Sequence, residues 1–140
     1  MANGLLTWNI LSPEIYKQQM IKNILLVGLG GGIGSILRYA ATLLISAKKI
    51  PYATLSVNIM GSFIIGLVLA FSIKDESFAN NWKLFLATGI CGGFTTFSAF
   101  TLENMQLLQS GKTGMAFLYI ALSVVLGIAA TFAGYQLFKN

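Results

Sequence analysis

Four apolar runs divide the chain, at residues 22–47, 51–73, 82–109 and 113–138. Each is long enough to cross a hydrocarbon core, which takes about 20 helical residues. The polar breaks between them are short: Lys48-Lys49, then Lys74-Asp75-Glu76-Ser77, then Ser110-Gly111-Lys112. Breaks of that length suit helix-to-helix hairpins. Pro51 suits the first turn of the second helix, where its missing N–H costs nothing. The pattern predicts an all-α membrane protein with one four-span unit over residues 21–140.

Polar residues within the runs carry the chemistry. The third run contains "CGGFTTFSAFTLE", residues 91–103, where a bilayer would favour leucine and valine. Gly92 and Gly93 loosen a helix at its middle, and threonines can satisfy the backbone groups so freed. Such a break in the third helix exposes carbonyls able to coordinate a cation. Phe97 and Phe100 lie about 60° apart on one face of the following helical half. A ring has a negative face and a positive edge, so edges turned to a path stabilise an anion without trapping it. The plainer reading makes these rings lipid-facing or core filler.

In the second run Thr54, Asn58, Gly61 and Ser62 share a face by i, i+3 and i+4 spacing. The Asn58 amide can donate two hydrogen bonds, either to an ion or as glue between helices. Tyr119, Ser123, Gly127, Thr131 and Tyr135 repeat at i+4 in the fourth run, lining a polar track or packing on a neighbour. In the first run, "GLGGGIG" lacks both the glycine spacing and the preceding strand of a dinucleotide loop. Gly28/Gly32 and Gly30/Gly34 instead make small-xxx-small pairs that let helices approach closely. Arg38 is a charge inside a span. Such a charge marks function by default, beside an ion path or as a tie between helices, unless it snorkels to the interface.

Composition narrows the class. Of 140 residues 56% are hydrophobic and 9% charged, against about 25% charged in soluble domains; mean hydropathy is +0.76. One cysteine, Cys91, and no histidine leave no intrachain disulfide and argue against zinc, haem or histidine acid/base chemistry. No nucleophile–base pair or metal set suggests an enzyme. The net charge of +5 forms no basic cluster for nucleic acid and reads as membrane topology charge. Lys17, Lys22, Lys74, Lys83 and Lys139 fall on one side, Lys48, Lys49 and Lys112 on the other. Residues 1–20 lack a signal peptide's basic and apolar regions. They read as a dispensable extension before Met20, or as a short interfacial segment anchored by Trp8 and Tyr16. Counted from Met20, the lysines stand four against three, which gives little orienting instruction and permits insertion both ways.

Three stretches, "GGIGSILRY" at 31–39, "VNIMGSF" at 57–63 and "GICGGFTTFSAFTLE" at 89–103, together resemble the Fluc (CrcB-type) fluoride channels over residues 20–138. The resemblance implies a passive fluoride channel in a prokaryotic plasma membrane (the inner membrane of a Gram-negative cell), exporting fluoride and lowering its toxicity. It implies antiparallel, dual-topology homodimers with two fluoride pathways. It also implies a structural sodium ion at the dimer centre, on the carbonyls of Gly92 and Thr95 from both subunits. Phe97 and Phe100 match the paired phenylalanines, Asn58 the pore asparagine and Arg38 the vestibule arginine. Tyr119 and Ser123 match the fourth-helix polar track, Thr96 and Ser98 are further hydroxyls, and Glu103 closes the motif. Gly127 stands where the family can carry another hydroxyl.

Fluoride's tightly held water must be replaced by several donors at once, which amide, hydroxyl and ring-edge groups supply. An inside-negative potential drives any anion outward by about 2.3 kcal/mol per 100 mV. The alternative reading is a small four-span dual-topology multidrug exporter, whose chemistry wants an embedded carboxylate, usually in the first span. Here the first run has none, and the membrane acid is Glu103 in the third.

Overall fold

The structure is a computed structural model that describes residues 13–45 and 52–139. The described chain is helical, and four of its stretches are long and apolar enough to cross a membrane: Pro13–Ile45, Ala53–Lys74, Leu84–Gln109 and Thr113–Lys139. Lys48, Lys49 and Pro51, as well as Trp8, lie outside the described residues.

The first helix, α1, runs from Pro13 to Ile45, so it begins ahead of the apolar run that opens at Lys22. Its 33 residues measure about 50 Å at 1.5 Å per residue, well beyond a hydrocarbon core of about 30 Å. Pro13 and Glu14 suit a first turn, where a missing N–H is harmless and a carboxylate meets the positive helix end. Helix geometry thus carries through polar residues 17–19 and 22–23, where hydropathy alone falls.

Helix α2 spans Tyr52–Lys74. The polar stretch after it is a short helix, α3 (Glu76–Asn81), rather than an open break. Asp75 caps it by accepting hydrogen bonds from the amides of Ser77 at 2.8 Å and Phe78 at 3.2 Å. Phe78 packs on Phe71, centroids 5.7 Å apart, and Phe71 on Phe138 at 4.7 Å. These contacts draw α3 onto the ends of α2 and the last helix.

The third span is irregular. It opens with a π-helical stretch, Leu84–Cys91, passes through one α-helical turn, α4 (Gly92–Phe94), and resumes as α5 (Phe97–Gln109). Gly111 at φ 73° ends α5 in the left-handed conformation usual after a helix terminus. The Lys112 amide reaches back to the Leu107 carbonyl at 2.9 Å. Helix α6, Thr113–Lys139, closes the fold.

Glycines set two intimate crossings. On α2 and α6, a Cβ at Gly66 would strike the Thr131 carbonyl, and one at Gly134 the Phe63 carbonyl. On α1 and the third span, a Cβ at Gly30 would lie 2.7 Å from the Phe85 carbonyl oxygen, and Gly34 would strike that of Ile90. Gly30 and Gly34 therefore act as the close-packing pair expected. Gly28 and Gly32 do not: no described atom lies within 4 Å of a Cβ at either, so their side of α1 faces away from the other described helices.

Candidate functional site

The site grows from the interruption between α4 and α5. Thr95 (φ −77°, ψ 158°) and Thr96 (φ −150°, ψ 118°) are extended, so the helical hydrogen-bond ladder stops there. Gly92 and Gly93, expected to loosen the helix, are helical. Gly93 is instead a point of close approach to α1, since a Cβ would strike the Gly31 carbonyl. The interruption falls after the glycines because the groups that satisfy it lie there.

Those groups come from three helices. Asn58 of α2 accepts from the Thr96 amide through Oδ1 at 2.8 Å and donates through Nδ2 to the Thr96 carbonyl at 3.1 Å. One side chain thus closes both backbone groups of Thr96, as a paired strand would. The amide that would have bonded the Gly92 carbonyl is diverted to Asn58. Thr95 stays local, its amide and hydroxyl both on the Cys91 carbonyl at 2.9 and 2.8 Å. The Thr95 carbonyl accepts from Nη1 of Arg38 in α1 at 3.3 Å. Arg38 is half-buried and reaches across the interior to the third span, so it ties helices rather than snorkelling. Thr96 also caps α5, its hydroxyl accepting from the Ala99 amide at 3.3 Å and lying 3.2 Å from Ser98 Oγ.

About two turns beyond Thr96, Glu103 joins α2, α5 and α6. Oε1 accepts from the Thr54 hydroxyl at 2.6 Å and Oε2 from the Tyr119 hydroxyl at 2.7 Å. The rings form a chain: Phe97 to Phe100 with centroids 5.6 Å apart, and Phe100 to Tyr119 at 5.2 Å. Phe97 is 76% exposed, whereas Tyr119 is buried.

An open cleft of about 460 Å³ lies between α1, α2 and α5 and brings together Arg38, Thr96, Ser98 and Glu103 of the expected set. Thr54, Ser35, Tyr39 and Thr42 join its lining and were not among the expected site residues. Their signal was available. Ser35, Arg38, Tyr39 and Thr42 repeat at i+3, i+4 and i+7 on one face of α1, and Thr54 sits one turn before Asn58. Ser123 lies apart from the cleft; its hydroxyl is buried and without a hydrogen-bond partner among the described residues, as is Oδ1 of Asn104. The far half of the α6 stripe is packing, since the backbone of Thr131 and Tyr135 meets Gly66 of α2. Gly127 sits against Ser62, 3.7 Å separating its would-be Cβ from Oγ.

These features define a helical multi-pass membrane protein with a polar, interrupted span beside an aromatic pair. Residues 25–135 match the family described as CrcB-like protein, Camphor Resistance (CrcB). The chain is 49% identical to the fluoride-specific ion channel FluC of Flavobacterium psychrophilum, across 86% of this chain and 99% of that protein. It is 46% identical to the FluC of Azobacteroides pseudotrichonymphae, across 84% and 97%. It is 44% identical to one from Thermus thermophilus, across 84% and 95%. The chain belongs to the CrcB family.

Proposed function

We infer that this chain is a fluoride-selective ion channel that lets fluoride run down its electrochemical gradient out of a prokaryotic cell, across the plasma membrane. The observation that carries the reading is the interrupted third span, satisfied by the Asn58 amide and the Arg38 guanidinium and flanked by Phe97 and Phe100, in a chain whose CrcB relatives bear a fluoride channel's name. Asn58 commits one N–H to Thr96, and a primary amide carries two, which leaves one for the anion. The Ser123 hydroxyl, with no partner among the described residues, is a second free donor. Tyr119 donates a hydrogen bond to Glu103 and serves the path by exchanging partners. The ring edges of Phe97 and Phe100, the hydroxyls of Thr96 and Ser98, and the charge of Arg38 complete the assignment.

Two copies, antiparallel, make the functional unit in this reading. Its support is the open Gly28–Gly32 side of α1, the exposed Phe97 beside the interruption, and the near-balanced lysines. A sodium ion suits the carbonyl ends there, because the Gly92 carbonyl has lost the Thr96 amide to Asn58 and unwound backbone of this kind coordinates sodium. Gly92 and Thr95 of each copy would hold it, and when bound it supplies a fixed positive charge joining the copies.

The exporter alternative needs a carboxylate free to trade protons with a cationic drug, whereas both oxygens of Glu103 are engaged. The deciding experiment loads purified protein into liposomes with both halides and records efflux. Rapid fluoride release with chloride retained is expected; equal release of the two, or none from folded protein, overturns the reading.

A further inference from the structure

The Thr95 carbonyl is asked to do two things. It accepts from Arg38 Nη1 at 3.3 Å, and the channel reading gives the same oxygen to a cation. A guanidinium never loses its charge, so the two cannot share the oxygen without two positive charges meeting in a low-dielectric interior. Arg38 has somewhere else to go. It lines the same cleft as Glu103, whose carboxylate is held by two hydroxyls and by no cation among the described residues. An arginine fork pairs well with a carboxylate, and the cleft of about 460 Å³ leaves room for the side chain to turn.

We propose that Arg38 is a movable counter-cation: it holds the Thr95 carbonyl when no sodium is present and turns to Glu103 when sodium arrives. The proposal rests on the channel reading only in placing a cation at the interruption. It explains why an arginine and a glutamate face one cleft without touching. It also gives sodium a role in conduction, because an Arg38–Glu103 pair removes a negative charge that would repel an anion. The Thr95 carbonyl then faces a cation in either state, the guanidinium of its own copy or the ion between the two copies.

The test is a sodium titration of the purified full chain in N-methylglucamine buffers. Thermal unfolding, followed by tryptophan fluorescence, gives the half-saturating sodium concentration. Arg38→Gln removes the competitor and is expected to lower that concentration by at least about tenfold. Glu103→Gln leaves Arg38 without its second seat and is expected to raise it. The two variants move in opposite directions, so the Glu103 variant decides the matter even where Arg38→Gln yields no folded protein. Unchanged sodium dependence in Glu103→Gln, or weaker sodium binding in Arg38→Gln, overturns the proposal. Fluoride efflux of the unaltered protein is measured alongside: efflux without any sodium stabilisation sinks this inference and leaves the channel standing, while absent efflux sinks the channel reading.

Discussion

The two glycine-built crossings invite comparison. Where α2 meets α6, Gly66 and Gly134 bring the backbones into contact and both helices stay regular. Where α1 meets the third span, Gly30, Gly34 and Gly93 do the same, yet the span is π-helical up to Cys91 and stops at Thr95. Glycine is common to both, so it does not cause the interruption. The difference lies in what else is within reach. Beside Thr95 and Thr96 stand an amide and a guanidinium from other helices. Along α2 and α6, Ser72 and Thr131 return their hydroxyls to carbonyls of their own helix. A membrane helix ends in the hydrocarbon only where the freed groups find new partners.

The largest expected effect separates packing from function. Gly34→Ala and Gly134→Ala each drive a methyl into a facing carbonyl, and overpacking of this kind costs about 1–3 kcal/mol or more. Both variants should lower thermal stability similarly. Only Gly34→Ala, whose methyl would also lie 2.8 Å from the Phe94 amide, should also lower fluoride efflux per folded protein. Equal efflux losses in the two would erase the contrast between the crossings.

Next in size is the clamp. Asn58→Ala leaves the Thr96 amide and carbonyl without partners, at about 1–3 kcal/mol for each buried group. Asn58→Asp keeps an acceptor for the Thr96 amide and loses the donor. The expected ranking in chemical unfolding is native above Asp above Ala. Aspartate should also fall furthest in fluoride efflux, since it sets a negative charge beside the path. An alanine variant as stable as the native chain would mean that the interruption holds itself open.

The smallest effect concerns the rings. A Phe–Phe contact such as that of Phe97 and Phe100 is worth about 0.5–1.5 kcal/mol. Phe97→Ile should therefore cost little stability, because Phe97 is 76% exposed. Fluoride efflux per folded protein should nonetheless drop several-fold in Phe97→Ile and Phe100→Ile, as aliphatic chains lack a positive edge. Unchanged per-protein efflux in both would return the rings to filler.

The four spans were legible because run length alone decides whether a helix can cross a bilayer. The start of α1 was written in Pro13 and Glu14 but hidden by hydropathy, which falls where the helix leaves the apolar layer. Asp75 likewise carried a capping signal inside what read as a polar break. The site was half legible. Spacing put Thr54, Asn58, Gly61 and Ser62 on one face, yet it could not say that Asn58 meets Thr96 from 38 residues away, or that Thr54 meets Glu103 from 49. Periodicity reports faces and not the partners they meet. The glycines misled for the same reason: intrinsic looseness pointed to Gly92–Gly93, yet both are helical, and Gly93 is packed against Gly31 of α1.

The α2–α6 crossing also orders events during synthesis. Gly66 and the Thr131 backbone that fills its groove are separated by 65 residues (131 − 66). At 5–20 residues per second, the ribosome takes about 3–13 s to make that stretch. For that interval α2 sits in the bilayer with its groove open to lipid, and the first three spans have no last helix to close against. Until α6 has left the ribosome, the groove at Gly66 has no backbone to fill it.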